Sequence, residues 1–495
     1  MGLIVRQGIS NAVVTYAGAV LGFALTIFIF PRVLETEQYG LTRLLISVSF
    51  MCTQFSTLGT KQSIIKFFPY FRDKEGNENG FLFLFMFINL AGFLVLLGVL
   101  AIFDEHILSL YADRSPLFID YYFLLIPLTF FILFFDILSN YARTLFATVF
   151  SSFLNEILLR VTIIISLIIF AVGLVDFKEF LYLFIGGYAL KLLLLIGQLI
   201  SLRRFSLLPK FDFLNPELLK KISTFSAYSF LGGVTTIIVG KIDILMLSAF
   251  LSLESTAIYS IAFYVGSVIA IPSRAINKIT FPVVSKAFKN ADMQEVNIIY
   301  KKSSVNQLLV GSLIYIGVSA NLQNLFMILP PDYRGGELVV LVIGAAFLFD
   351  MATGVNGSIL LSSKYYRYNL YFNLILVVTA IAANYFLIPI LGILGASIAT
   401  ASSILFYNSI KFFFVWRKLK LQPFTKETVY ILILSAVLFG ISYAVPTLQN
   451  MYVDLIIRSI LIALVYSLIS YSLELSEDLN RVGKKIFNKL IGKAA

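Results

Sequence analysis

The chain has 495 residues, of which 59% are hydrophobic and only 13% are charged, and its mean hydropathy is +0.91. In soluble domains about a quarter of the residues are charged. This composition therefore excludes a soluble globular protein and indicates a polytopic, all-α membrane protein. One cysteine and one histidine exclude an intrachain disulfide and a His/Cys metal cluster. The net charge of +11 would suit nucleic acid if it were clustered, so its distribution along the chain decides its meaning.

Apolar runs of about 20 residues, the length that crosses a bilayer as a helix, recur from end to end. They predict fourteen transmembrane helices. In chain order the predicted spans are 11–34, 42–60, 80–103, 117–138, 144–171, 178–200, 224–250, 256–280, 303–329, 337–361, 369–390, 393–416, 428–446 and 452–473. We interpret the first as an uncleaved span, since its apolar run is too long for a signal peptide.

The basic residues are distributed very unevenly between the two sides of these spans. With the N-terminus inside, 26 of the 38 Lys and Arg residues fall in inner segments, and three (Arg114, Lys178 and Arg334) fall in outer loops. Positive charge concentrates on the cytoplasmic side of membrane proteins. The pattern therefore predicts that both termini are cytoplasmic, and that the net charge faces anionic lipid rather than nucleic acid.

An internal repeat suggests how the spans are grouped. Spans 1–2 and 7–8 each have a short outer turn with an acid, and each ends in a basic residue shortly before Phe-Pro, in "IIKFFP" (Ile64–Pro69) and "NKITFP" (Asn277–Pro282). Repeats of this kind surround the midplane sites of transporters. We predict two pseudo-symmetric six-helix lobes at 1–200 and 224–418. A cytoplasmic amphipathic linker at 201–223 joins them, and 419–495 adds spans 13 and 14 with a basic tail.

Several ionisable residues fall inside the predicted spans, where they are costly and normally face a bundle interior or water. Asn155, Glu156 and Arg160 share one face of a regular helix, and Glu156 and Arg160 are spaced to pair. A structural ion pair and a polar cavity wall both fit this pattern. Arg160, Lys191, Lys241 and Arg274 are basic residues in or near the predicted spans. We predict that they give a cavity a cationic lining, which suits an anionic cargo.

Lys241 and Asp243 lie two residues apart in an otherwise apolar run. That spacing corresponds to 200° on a helix, so the two charges cannot face each other. We expect Asp243 to point into the second lobe, and Lys241 to reach another helix, the gap between the lobes or the membrane interface. Arg43, Lys278 and Arg458 are expected to be interfacial anchors.

Three stretches, in order along the chain, resemble one protein family. They are "VLETEQYGLTRLLISVSF" (Val33–Phe50), "KIDILMLSAFLSLESTAIYS" (Lys241–Ser260) and "NYFLIPILGILGASIATASS" (Asn384–Ser403). They are similar to spans 1–2, 7–8 and 11–12 of bacterial polysaccharide-export flippases of the O-antigen type. The wider superfamily also contains lipid II flippases and multidrug and toxin extrusion exporters.

The resemblance implies two lobes forming a V around a central cavity, with two additional C-terminal helices. It also implies that the protein moves an undecaprenyl-pyrophosphate-linked oligosaccharide from the cytoplasmic to the outer leaflet of the bacterial inner membrane by alternating access. The implied partners are this lipid-linked oligosaccharide, membrane lipids and glycan polymerase or ligase machinery. A monomer without a cofactor is expected.

The resemblance further implies a monovalent cation site. In the lipid II flippases such a site lies between spans 7, 11 and 12, and the matching positions here are Asp243, Asn384, Thr400 and the Ala396 carbonyl. Asn384 stands where an acid can occur, so this site would hold less charge. Coupling to Na⁺, coupling to protons and no coupling all remain open.

Two other functions fit less well. An ion-coupled small-molecule exporter or a lipid II flippase of the same superfamily would share the fold, although the exporters usually have twelve spans. A membrane polysaccharide polymerase or ligase would need a large outer loop with catalytic side chains, and the longest loop, Asp104–Pro116, is poor in them. We therefore expect a protein that is not an enzyme.

Overall fold

The computed structural model describes residues 3–72, 78–210 and 216–481. All regular elements within these ranges are helical, as predicted, and twelve of the helices there are long and apolar enough to cross a membrane. The chain is thus a multi-pass membrane protein. The predicted tail at 482–495 and part of the predicted linker, 211–215, lie outside the described residues.

The chain divides into two compact units, Met1–Ala257 and Ile258–Ala495. The helices of the first unit are α1 (Leu3–Ala24), α2 (Phe30–Val33), α3 (Thr36–Ser56), α4 (Thr60–Phe71), α5 (Phe81–Ile102), α6 (Asp104–Ser109), α7 (Pro116–Tyr121), α8 (Leu125–Thr144), α9 (Thr148–Phe153), α10 (Leu159–Ala171), α11 (Phe177–Ser201) and α12 (Pro216–Phe250). Its core is rich in aromatic side chains from α4, α5 and α8.

The division between the units falls within α13 (Leu253–Ser267). The helices that follow are α14 (Ile271–Lys289), α15 (Met293–Ala320), α16 (Leu322–Ile328), α17 (Glu337–Ala352), α18 (Asn356–Ser362), α19 (Tyr368–Leu419), α20 (Lys426–Ala444) and α21 (Met451–Ser472). In the described part of this second unit, one cluster of buried, mostly aliphatic side chains lies around α15, α20 and α21 and another around α14, α15 and α18.

Among the described residues of the first unit, two π-helical turns interrupt the helices. One, Leu25–Ile29, joins α1 to α2, and the other, Leu154–Leu158, joins α9 to α10. Such single turns occur frequently at functional sites. Their residues are largely as apolar as those of the neighbouring turns, so hydrophobic periodicity does not reveal either turn.

Helix α12 packs against α3 and α4 in the first unit. Gly59 has a left-handed backbone (φ 78°), and a Cβ at this position would overlap the Ser226 carbonyl oxygen of α12. The Ser63 and Ser226 hydroxyls are 2.7 Å apart, and the Phe55 and Phe230 rings pack edge to face. The predicted lobe boundary at 201–223 stays a prediction.

Helix α19 is 52 residues long but is broken at Gly392, where φ is 61° and ψ is −137°. A Cβ at Gly395 would lie only 3.0 Å from the backbone nitrogen of Ile388. Residues seven apart in a continuous helix are about 10 Å apart along the axis. The chain therefore reverses at Gly392, close to the predicted break between spans 369–390 and 393–416.

A buried charged group ties the last two helices together. Arg458 donates to the Asp454 carboxylate at 3.2 Å and to the carbonyl oxygens of Ser442 and Pro446 at 3.0 and 3.2 Å. Asn324 of α16 donates to the same carboxylate at 2.6 Å. Arg458 is only 7% exposed. It is therefore not the interfacial anchor that we expected. Its guanidinium N–H groups donate instead to carbonyl oxygens at the end of α20 and to Asp454, which lies one turn earlier on α21.

Candidate functional site: a cationic cluster in the first unit

The predicted pair of Glu156 and Arg160 is confirmed, with Arg160 Nη1 2.7 Å from Glu156 Oε2. Arg160 also donates to the Glu156 carbonyl oxygen, and Asn155 donates to Glu156 Oε1 at 3.1 Å. Helix α1 approaches this pair through two glycines. A Cβ at Gly18 would lie 2.7 Å from Glu156 Cβ, and one at Gly22 would lie 2.9 Å from Arg160 Nε. The π turn at Leu154–Leu158 places both Asn155 and Glu156 off a regular helical wheel.

Lys191 of α11 is buried beside this group. Its ammonium donates to Asn155 Oδ1 at 3.0 Å and lies 4.1 Å from the Phe135 ring centroid and 4.9 Å from that of Tyr188. Only 3% of Lys191 is exposed. A cation in this environment is held by a neutral amide and by the negative faces of aromatic rings.

Arg43 and Lys241 extend the positive charge along α3 and α12. Arg43 Nε donates to the Tyr39 hydroxyl at 2.7 Å. The Lys241 ammonium lies 5.5 Å from the Phe50 ring centroid, and it is close enough to Arg43 to be repelled by it. The Tyr188 hydroxyl lies within electrostatic range of both Arg43 and Arg160, so these two arginines and Lys191 belong to one region of the unit.

We call Arg43, Arg160, Lys191 and Lys241 the cationic cluster. Within the described part of the chain, Arg160 alone of the four has a carboxylate in ion-pair contact, and the other three have neutral partners. Elsewhere in the unit Lys61 is neutralised by Asp136 at 2.7 Å. Uncompensated cations act strongly where the dielectric constant is low, so the cluster presents a net positive potential. Arg43, which we expected to be an interfacial anchor, belongs to it.

The other predicted site residues are spread over both units. Arg274 lies on α14 in the second unit, where its side chain is exposed. Asp243 is buried on α12 in the first unit, whereas Asn384, Ala396 and Thr400 lie on α19 in the second. Within α19 the reversal at Gly392 brings the segments on either side of it together. The predicted cation site and the role of Arg274 stay predictions.

The second unit contains a buried polar network that our reading of the sequence largely missed. Asn408 donates to Asp350 Oδ1 at 2.9 Å, and the Lys411 ammonium lies 4.4 Å from the Tyr407 ring centroid. Tyr407 in turn donates to Asn373 at 2.8 Å. Asp350 lies within predicted span 337–361. Lys411 lies near the end of predicted span 393–416, where a lysine usually marks the interface.

The described part of the chain thus combines long apolar helices with buried cations that have no carboxylate in contact, an arrangement typical of functional sites in membrane proteins. The sequence profile described as "Polysaccharide biosynthesis protein" matches residues 4–288, more than half of the chain. The chain therefore belongs to this family, which confirms the resemblance found in the sequence.

Solved structures show the same fold at low sequence identity. "Lipid II flippase MurJ, inward closed conformation" superposes with a TM-score of 0.76 at 16% identity, covering 94% of this chain and 99% of that one. An inward-facing "multidrug resistance MATE family transporter of the MOP superfamily" gives 0.64 at 14% identity, covering 83% and 98%. "MATE in complex with MaL6" gives 0.54 at 14% identity, covering 84% and 96%. No curated protein matches the chain in sequence.

Proposed function

We propose that this protein is a flippase for an undecaprenyl-pyrophosphate-linked oligosaccharide, a repeat unit of O-antigen or capsule. It would move this cargo from the cytoplasmic to the outer leaflet of the bacterial inner membrane by alternating access. The observation that carries the proposal is the cationic cluster, because Arg43, Lys191 and Lys241 lack carboxylate partners among the described residues. Membership of the polysaccharide biosynthesis family and the transporter fold support it.

The proposal requires no chemical catalysis by the protein. A pyrophosphate that moves outward gains about 2.3 kcal/mol per charge per 100 mV of inside-negative potential. The work left to the protein is to lower the cost of taking the phosphates through a region of low dielectric constant, which buried cations do. The net positive charge of the cluster favours this cargo over a cationic small molecule.

The finer layout belongs to the same proposal. We count fourteen spans by adding α3 to the twelve apolar helices and by dividing α19 at Gly392. Both termini would be cytoplasmic and the protein would act as a monomer, with glycan polymerase or ligase machinery as a further partner. Asp243, Asn384, Thr400 and the Ala396 carbonyl would form a Na⁺ or proton site.

The test is lipid flipping in proteoliposomes with the single variants Lys191→Met and Lys241→Met. Hydrogen bonds to a charged group contribute about 1.5–3 kcal/mol, so each variant should flip a pyrophosphate-linked oligosaccharide at least about tenfold more slowly. Lys289→Met, which removes an exposed lysine at the end of α14, is the matched control and should be unaffected. Wild-type rates for both cluster variants, with normal thermal stability, would overturn the proposal.

A further inference from the structure

The first unit has an apolar groove that is separate from the cationic cluster. It encloses about 710 Å³ between the first half of α12, the junction of α3 with α4, and α5. Leu58, Ile88, Leu219, Phe230 and Leu231 supply most of its apolar lining. Because Leu58, Leu219 and Leu231 are each 40–46% exposed, the groove opens to the outside of the helices.

The groove is long and lies at one edge of the membrane. Lys220 and Leu231 of α12 both line it. They are eleven positions apart, which corresponds to roughly 16 Å along a helix at 1.5 Å per residue. Glu217, Lys220 and Lys221 precede a stretch of α12 without Asp, Glu, Lys or Arg until Lys241. Charges at the start of an apolar helix mark the headgroup level, so the groove runs from there into the hydrocarbon.

Lys220 gives the groove one charged end. Its neighbour Lys221 is paired with Glu217 at 2.7 Å, whereas Lys220 has no carboxylate in contact among the described residues. We propose that the groove binds one acyl chain of an anionic phospholipid, whose phosphate pairs with Lys220. A zwitterionic lipid fits less well, because its own ammonium competes with Lys220 for the phosphate.

The occupied groove would affect the packing of α12. Its lining includes Thr60 and Ser226, which flank the close approach of Gly59 to α12. A bound acyl chain would fill the space beside this contact and stabilise it, since apolar surface that remains in a void loses its dispersion contacts. The lipid would thus act as a stabilising ligand.

The experiment measures lipids bound to the purified full-length chain by native mass spectrometry, with phosphatidylglycerol and phosphatidylethanolamine offered in equal amounts. The wild type should prefer phosphatidylglycerol. Lys220→Gln should weaken that binding about fivefold, the effect of one lysine near a membrane surface. The matched control Lys221→Gln should keep the wild-type preference. Ala227→Leu, which adds bulk to the exposed groove wall, should weaken the binding of both lipids.

Three results would overturn the inference. The first is equal binding of the two lipids by the wild type, and the second is an equal effect of Lys220→Gln and Lys221→Gln. The third is displacement of phosphatidylglycerol by an equimolar amount of undecaprenyl phosphate in the wild type but not in Ala227→Leu, which would assign the groove to an isoprenoid chain. Flipping activity is not needed for either readout, so failure here is distinct from failure of the proposed function.

Discussion

At the scale of single residues, the partners of each cation decide what charge it presents. Lys61 and Arg160 are each within 2.7 Å of a carboxylate and present little net charge. Lys191 is more deeply buried than either; it donates to an amide oxygen and lies against two aromatic rings. Among the described residues no carboxylate is in ion-pair contact with Lys191. Loss of its charge should therefore affect cargo binding far more than stability.

Glu37, at the start of α3, lies in a group of three carboxyls. Burial raises the pKa of Glu37, and the negative charges of Glu254 and Glu35 raise it further. The folded chain therefore binds this proton more tightly than the unfolded chain. By linkage, the protein should lose stability as the pH rises from the ordinary pKa of about 4.5 through the raised value.

The variant Glu37→Gln should remove this part of the pH dependence and should be more stable than the wild type at neutral pH. Thermal unfolding measured from acidic to neutral pH would show the difference. Glu105→Gln changes an exposed carboxyl in α6 and serves as the control. A wild-type pH profile for Glu37→Gln would contradict the prediction.

At the scale of elements, α1 can approach the ion pair on the neighbouring helix only because Gly18 has no side chain. A Cβ there would lie 2.7 Å from Glu156 Cβ and 2.8 Å from both Arg160 Nη1 and the Glu156 carbonyl oxygen. Gly18→Ala should therefore destabilise the protein by about 1–3 kcal/mol, the usual penalty of overpacking. Thermal unfolding in detergent would measure the change.

Gly98→Ala is the matched control for this prediction. Gly98 lies in α5 with no heavy atom within 4 Å of an added Cβ. Alanine there should be neutral or stabilise by about 0.5–1 kcal/mol through helix propensity. If the two variants had equal stability, the close packing of α1 on Glu156 and Arg160 would be refuted.

At the scale of the whole molecule, the helical membrane fold and most spans could be predicted because long apolar runs dictate them. The pairing of Glu156 with Arg160 followed from spacing alone. The partners of Lys191 and the burial of Arg458 could not be predicted, since they depend on which helices become neighbours. The face assigned to Asn155 assumed a regular helix, and the π turn at Leu154–Leu158 breaks that assumption.

The orientation of the chain can be tested by cysteine labelling. In a Cys52→Ala background, Ser206→Cys should resist an impermeant thiol reagent in intact cells and react after permeabilisation, because the 26:3 basic asymmetry predicts that residues 201–223 lie inside. Asp113→Cys, in an outer loop by the same reasoning, should react in intact cells. Both side chains are exposed, so accessibility reports the side of the membrane. The reverse pattern would invert the topology.

The contacts of Arg458 also bear on how the chain is made. Asp454 and Arg458 are one turn apart on α21, so they can neutralise each other while that helix is still alone in the membrane. The remaining donors of Arg458 need the Ser442, Val445 and Pro446 carbonyls at the end of α20. An unsatisfied charged helix in lipid is expensive. During biosynthesis α20 and α21 should therefore leave the translocon together as a hairpin, and a chain truncated after α20 would lack the arginine that these carbonyls bind.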